Sequence, residues 1–259
     1  MTNRQALAGV GVLVTRPEHQ AAPLATLIEA QGGTAIRFPT MQIVPVEIEA
    51  DRLTAQLERA DMLIFISANA VYCLHEHSGL GTHWRPAQQV AVVGQRTALA
   101  LQQIGWTVDI VPEQRFDSEA LLACDALQQV SGKRITIIRG VGGRETLAQS
   151  LRERGAVVDY AEVYRREVPD ADPQALLAQW RAGGIDVISI TSNTALQNLL
   201  TILGDTIDQQ VLATPLAVFS QRQSVLARKA GFSGRIVVAT NATNEAMVEA
   251  VKQAIVVVD

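Results

Sequence analysis

The chain has 259 residues, is 48% apolar and 19% charged, and carries a net charge of −4. That length suits two ordinary domains or one large one, and the apolar content is too high for disorder. The acidic balance excludes a molecule-wide attraction to nucleic acid, and with aromatic residues at 4% a base-stacking platform is excluded too.

Short apolar runs alternate with helical periodicity from one end to the other. Residues 10–14 read as a buried strand, 21–31 as a helix stopped by Gly32-Gly33, and 35–38 as the next strand. A proline-bounded extended stretch, 39–48, follows and reads as a connector. Strands are predicted at 63–66, 90–93 and 108–111, helices at 96–104 and 118–130, then a strand at 135–138 and a helix at 144–154. A second extended stretch, 157–169, reads as another connector. Helices at 174–182, 194–203, 222–230 and 244–255 then alternate with strands at 187–190, 216–219 and 236–238. Continuously apolar strands separated by helices imply an α/β fold of parallel sheets covered on both faces.

Cys73 and Cys124 stand outside any CxxC pair and read as thiols in a reducing compartment. Met1 to Gly9 has no apolar signal core, and no run of about 18 apolar residues could span a bilayer. The expectation is a cytoplasmic protein that engages neither membrane nor nucleic acid.

The sequence also repeats itself. Asp61-Met62-Leu63-Ile64-Phe65-Ile66-Ser67 returns as Asp186-Val187-Ile188-Ser189-Ile190-Thr191-Ser192, 125 residues on. Val92-Val93-Gly94-Gln95-Arg96 returns as Val218-Phe219-Ser220-Gln221-Arg222, and Asp117-Ser118-Glu119 as Thr243-Asn244-Glu245, both 126 on. Leu13-Val14-Thr15-Arg16 resembles Thr136-Ile137-Ile138-Arg139 at an offset of 123. Near-constant offsets across separated blocks point to an internal duplication.

Open parallel sheets bind ligands outside the carboxyl ends of their strands. That rule selects Thr15-Arg16, Ser67-Ala68-Asn69, Gly94-Gln95-Arg96-Thr97, Arg139 to Arg144, Thr191-Ser192-Asn193-Thr194 and Ser220-Gln221-Arg222-Gln223. Most lead into a helix, whose first N–H groups favour anions. Arg139-Gly140-Val141-Gly142-Gly143-Arg144-Glu145 is the sharpest of these. It lacks the third glycine of a dinucleotide fingerprint and the Gly-Lys-Ser/Thr ending of a phosphate loop. It reads as a strand-to-helix turn that lets backbone approach an acidic group. Ser67, Ser118 and Ser192 read as helix N-caps. No Gly-x-Ser-x-Gly elbow marks a hydrolase nucleophile. His75 and His77 diverge on a helix-like segment near His83, so no metal site is expected. Tyr164, in the second connector, is either an aromatic packing a hinge or a phenol offered to a ligand.

Taken together, Leu13 to Pro17, Leu63 to Val71, Val92 to Ala98, Arg139 to Glu145, Val163-Tyr164-Arg165-Arg166 and Asp186 to Ser192 resemble the uroporphyrinogen-III synthase family across nearly the whole chain. The resemblance implies two flavodoxin-like domains, 1–38 plus 170–259 and 49–156, joined by a two-stranded β connector from 39–48 and 157–169. It implies a lyase that closes linear hydroxymethylbilane to uroporphyrinogen III, with loss of water and inversion of ring D, in the inter-domain cleft. No cofactor, a monomer, and a linear tetrapyrrole as the small-molecule partner are implied as well. Tyr164 matches the family tyrosine thought to assist loss of the hydroxyl, and Thr97 a family threonine in the cleft. Substrate carboxylates would fall to Arg16, Ser67, Ala68, Asn69, Gly94, Thr97, Arg139, Gly140, Gly142, Gly143, Arg144, Ser192, Asn193, Thr194, Ser220, Arg222 and Gln223. The family's Gly-Pro-Thr-Thr is replaced here by Ser220-Gln221-Arg222-Gln223, so that loop is expected to supply backbone contacts and charge. The alternative reading is a non-catalytic two-domain module that binds a tetrapyrrole or small anion.

Overall fold

A computed structural model describes residues 6–256 apart from 79, 81–83 and 114, with the backbone alone at His19 and His77. His83 and the first five residues of the expected signal-free N-terminus lie outside the described residues. The first elements are β1 (Gly11–Val14), α1 (Glu18–Glu29), β2 (Thr34–Arg37), β3 (Gln42–Pro45), α2 (Ala50–Glu58), β4 (Met62–Phe65), α3 (Ala68–His77), β5 (Gln89–Val92) and α4 (Gln95–Gln103). Next come α5 (Ser118–Ala123), α6 (Asp125–Gln128), β6 (Arg134–Gly140), α7 (Thr146–Glu153) and β7 (Val157–Glu167). The chain closes with α8 (Pro173–Arg181), β8 (Val187–Ile190), α9 (Asn193–Leu203), α10 (Gln209–Ala213), β9 (Leu216–Val218), α11 (Gln221–Lys229), β10 (Ile236–Val238) and α12 (Asn244–Ile255).

These elements divide into two compact units, Met1–Gln42 with Glu167–Asp259, and Ile43–Arg166. In the first unit the sheet order is β10-β9-β8-β1-β2, and its four neighbouring pairs are parallel. Alternate residues enter opposite cores. Val12 and Val14 face a cluster with Leu24, Ile28 and Met247, while Leu13 faces one with Trp180, Ile188 and Leu199. Both faces are therefore apolar, which is why these strands read as unbroken hydrophobic runs. A reciprocal latch closes the junction of β1 and β8: Thr15 Oγ1 donates to the Ser189 carbonyl at 2.8 Å and Ser189 Oγ to the Leu13 carbonyl at 2.9 Å. Both side chains are buried and both hydroxyls are paired, so the hydrogen bonds offset their desolvation.

The second unit's sheet runs β3-β7-β6-β4-β5, with β7, β6, β4 and β5 parallel. Leu63 and Phe65 face one core, Met62 and Ile64 the other. Ile110 makes a parallel bridge to Ala91, beside β5. The strand expected at 108–111 is thus reduced to one bridge, and Val111-Pro112 ends it, since proline has no N–H to continue a ladder. The helix expected over 118–130 breaks at Cys124, whose extended backbone (φ −65°, ψ 138°) separates α5 from α6. The stretches expected as a two-stranded β connector contain β3 and β7, which are hydrogen-bonded neighbours within the five-stranded sheet, and Val46 N–H donates to the Val163 carbonyl at 3.1 Å.

From β6 the order β7-β6-β4-β5-Ile110 matches the order β2-β1-β8-β9-β10 of the first unit. In each, the strand order reverses beside one central strand, β1 or β6, whose partner across the reversal is β8 or β4. Carboxyl ends at such a reversal form a crevice.

Candidate functional site

In the first unit, the reversal brings together the ends of β1 and β8. Arg16 leaves β1 and donates through Nη1 to Asn244 Oδ1 at 2.6 Å, with its guanidinium 5.4 Å from the Phe219 ring centre. Ser192 leaves β8 and caps α9, accepting from Ala195 N–H at 3.0 Å. Asn193 is half-buried and Thr194 exposed in the first turn. After β9, Ser220 caps α11 by accepting from Gln223 N–H at 3.4 Å. Arg222 is exposed, but Gln223 is buried and its Oε1 accepts from Phe219 N–H at 2.7 Å. Gln223 therefore braces its own turn, and Gln221 and Arg222 are turned to solvent.

In the second unit, Ser67 caps α3 by accepting from Ala70 N–H at 3.1 Å. Ala68 and Asn69, half-buried, form the first turn, whose N–H groups lack intrahelical acceptors. Gly94 caps α4, and Thr97 is buried in that helix, as Gln223 is buried at the position 126 residues on. The N-cap of α5 is Asp117, which accepts from Ala120 N–H at 2.8 Å; Ser118, expected in that role, is the first helical residue. The backbone bond from Ala120, and secondarily Arg115, hold the Asp117 carboxyl below its usual range. Thr243 caps α12 in the same way through Ala246 N–H.

The ends of β6 and β7 hold the most connected group. Their pairing slips at one point: Arg139 pairs with Glu162 but Gly140 with Tyr164, so Val163 is the extra residue of a bulge. Strict alternation would send Val163 and Tyr164 to opposite faces. The bulge puts both in the core that contains Phe65, Val92 and Ile138. Tyr164 is 0% exposed, and its ring lies so close to Gly140 that a Cβ there would sit 2.6 Å from both Cε2 and Cζ. Glycine is required by that approach. The Tyr164 hydroxyl is 3.0 Å from Ser67 Oγ and accepts from Arg166 Nη2 at 2.9 Å. A phenol expected to meet a ligand directly is instead enclosed, and it reaches the strand-end edge through Ser67.

Beyond Gly140 the glycine loop is exposed, with Gly142 at φ +70° and Gly143 at φ +110°, conformations natural to glycine. Arg144 is exposed beside them. Arg139, expected as a ligand for substrate carboxylates, is buried and engaged internally. It meets Glu145 at 2.9 Å and Glu162 at 3.6 Å, and lies 4.3 Å from the Tyr160 ring centre. Glu162 also accepts from Gly142 N–H at 3.2 Å. Tyr160 donates to Glu145, and that bond, with Arg139 second, holds the Glu145 carboxyl below its usual range. Burial, then Glu145, pushes the Tyr160 phenol up. Arg139 is thus the clamp that shapes the loop; with Val141 N–H given to the Tyr164 carbonyl and Gly142 N–H to Glu162, the loop presents Arg144 and the Gly143 backbone to an anion.

Arg166 and Glu145 stood in the sequence motifs without a role, and Glu162 and Tyr160 were given none either. A signal existed for Arg166, because two residues along a strand return to the same face as Tyr164. Among the described residues, no group of three His, Cys, Asp or Glu side chains is placed to hold a metal ion. No helix among them is long and apolar enough to cross a membrane.

The family model for "Uroporphyrinogen-III synthase HemD" matches residues 22–249. The chain is 34% identical to the uroporphyrinogen-III synthase of Salmonella typhimurium over 248 residues, covering 94% of this chain and 100% of that protein. It is 32% identical to that of Escherichia coli over 251 residues, with 94% and 100% covered. Its fold is similar to the crystal structure of uroporphyrinogen-III synthetase from Helicobacter pylori (TM-score 0.61, 15% identity, 94% and 99% covered). A mutant uroporphyrinogen III synthase from Thermus thermophilus is also similar (TM-score 0.53, 18% identity, 95% and 98% covered). With a family match over most of its length and full-length relatives at this identity, the chain belongs to the uroporphyrinogen-III synthase family.

Proposed function

We propose that this chain is a lyase that closes hydroxymethylbilane to uroporphyrinogen III, with loss of water and inversion of ring D, in tetrapyrrole and heme biosynthesis. The observation that carries the reading is the family match over residues 22–249. The hydroxyl of the terminal hydroxymethyl group leaves as water, giving an azafulvenium cation. Ring D attacks through its substituted carbon, and fragmentation and reclosure of a spiro-pyrrolenine complete the inversion. The sequence of steps is redox-neutral, so it calls for no redox cofactor.

The task is chiefly positional. A flexible polycarboxylate must be held in one fold before it cyclises unaided to the other isomer, so ordering the chain is the catalytic contribution. Capped helix starts at Ser67, Gly94, Ser192 and Ser220 offer N–H groups to acetate and propionate arms. The Gly143 backbone, Arg16, Arg144 and Arg222 add donors and charge. Tyr164, with its hydroxyl between Ser67 and Arg166, supplies the proton for the departing hydroxyl. The shared strand order and the repeated caps support descent of both units from one duplicated flavodoxin-like unit, with the opening strand and helix grouped with the C-terminal portion. A monomer in the cytoplasm suffices for this chemistry.

The test is incubation with freshly prepared hydroxymethylbilane, oxidation, and separation of the isomers. Isomer III is expected in excess. Saturable tetrapyrrole binding with only isomer I formed, at the rate of the blank, would identify a binding module instead.

A further inference from the structure

We propose that Ser67 is the hydroxyl through which the enclosed Tyr164 exchanges its proton with substrate, and that Arg166 is the positioning residue that sets the direction of this relay. The proposal rests on the synthase reading above and names the proton path within the same site.

Three observations define the direction. A guanidinium can only donate, so in the 2.9 Å contact the Tyr164 oxygen is the acceptor. The phenolic proton is then directed to its other neighbour, Ser67 Oγ at 3.0 Å. Ser67 Oγ already accepts from Ala70 N–H at 3.1 Å. With both lone pairs occupied, by the backbone and by Tyr164, its own proton points out of the cap. Ser67 is half-buried at the carboxyl end of β4, whereas Tyr164 is 0% exposed. A substrate hydroxyl at the strand-end edge can therefore touch Ser67, while Tyr164 acts only through it. Two features hold the geometry: the bulge that turns Tyr164 toward β4, and Gly140, whose missing Cβ admits the ring. The Arg166 guanidinium also lies 5.3 Å from the Tyr164 ring centre, where its charge favours the phenolate left behind.

The step balances. The C–O bond of the hydroxymethyl breaks, and its oxygen departs as water with the Ser67 proton. Ser67 takes the Tyr164 proton, and the phenolate stays beside Arg166. When ring D, the attacking pyrrole, regains aromaticity after reclosure it releases one proton, and this returns along the same path.

The experiment is steady-state formation of isomer III by the full chain and its variants, with melting measured on each. Ser67→Thr keeps both cap and hydroxyl and is expected to retain turnover within a few-fold. Ser67→Asn keeps a strong N-cap but not the hydroxyl. It is expected to lose roughly 100-fold in kcat with KM little changed, in line with loss of a positioned proton donor. Ser67→Asn combined with Tyr164→Phe is expected to be no slower than Tyr164→Phe alone, because members of one chain are not additive. Arg166→Met, at an exposed position, is expected to lower kcat about tenfold, which is about 1.4 kcal/mol, in wild type and to have no effect in the Tyr164→Phe background. Wild-type turnover by Ser67→Asn, or losses that multiply in the double variants, would overturn the relay while leaving the synthase reading intact. If Ser67→Asn does not fold, the Arg166→Met comparison decides alone. A wild-type protein that forms only isomer I overturns the synthase reading and the relay together.

Discussion

Gly140→Ala puts the packing of the enclosed tyrosine under direct test. The new methyl carbon would lie 2.6 Å from Tyr164 Cε2 and Cζ and 3.1 Å from Cδ2. Ordinary carbon contacts lie near 3.5–4.0 Å, so ring and strand must separate by about 1 Å. Overpacking of this kind costs typically about 1–3 kcal/mol. The ring has no free side to move to, since Tyr164 is wholly buried. Displacement also strains the hydroxyl contacts at 3.0 and 2.9 Å to Ser67 and Arg166, each worth about 1 kcal/mol in place. The total expected loss is about 2–4 kcal/mol, and a displacement of that size costs roughly 100-fold in turnover. Denaturant midpoints with isomer-resolved kinetics measure both. Gly142→Ala is the control: it meets no atom within 4 Å, carries φ +70°, and should lose only about 1–2 kcal/mol of backbone strain. Gly140→Ala with wild-type stability and turnover would refute the argument that the missing Cβ seats Tyr164.

Other perturbations separate the remaining features. Ser189→Ala removes the buried donor to the Leu13 carbonyl and should destabilise the first unit by about 1–2 kcal/mol, read from denaturant unfolding. Ser192→Ala removes the α9 cap and should cost about 1 kcal/mol, with a rise in KM if the cap also orders a substrate carboxylate. For pH, the Glu145 carboxyl is held low by Tyr160 and Arg139. A depressed carboxyl adds stability that is present above its unfolded pKa and lost as pH falls through the folded one. Wild type should therefore lose stability in acid more steeply than Glu145→Gln in matched denaturant titrations. Parallel curves would remove Glu145 from the loop clamp.

The central strands were legible because burial on both faces leaves an unbroken apolar run, as in Val12-Leu13-Val14 and Met62-Leu63-Ile64-Phe65. The helix starts were legible where a serine cap precedes an apolar periodicity, as at Ser67 and Ser192. At Ser118 the neighbouring Asp117 took the cap, because either side chain could have reached the free N–H groups. β3 at the sheet edge and β7 beside it read as connectors because they are partly exposed and polar, so that pairing, not local hydrophobicity, defines them. Tyr164 drew attention by its chemistry, but its enclosure did not show. A one-residue bulge between β6 and β7 is a property of two strands at once, and no single strand's alternation reveals it. Arg139 was expected to serve substrate because arginine beside glycines suggests an anion site. The partners that claim it, Glu145 and Glu162, lie on the loop and on a neighbouring strand.

The most direct test of the account is the ratio of isomer III to isomer I formed from fresh hydroxymethylbilane as protein concentration rises. Predicted is a ratio that climbs with wild-type protein and falls toward the blank with Tyr164→Phe at equal folded concentration. Isomer I alone at every wild-type concentration would contradict the account.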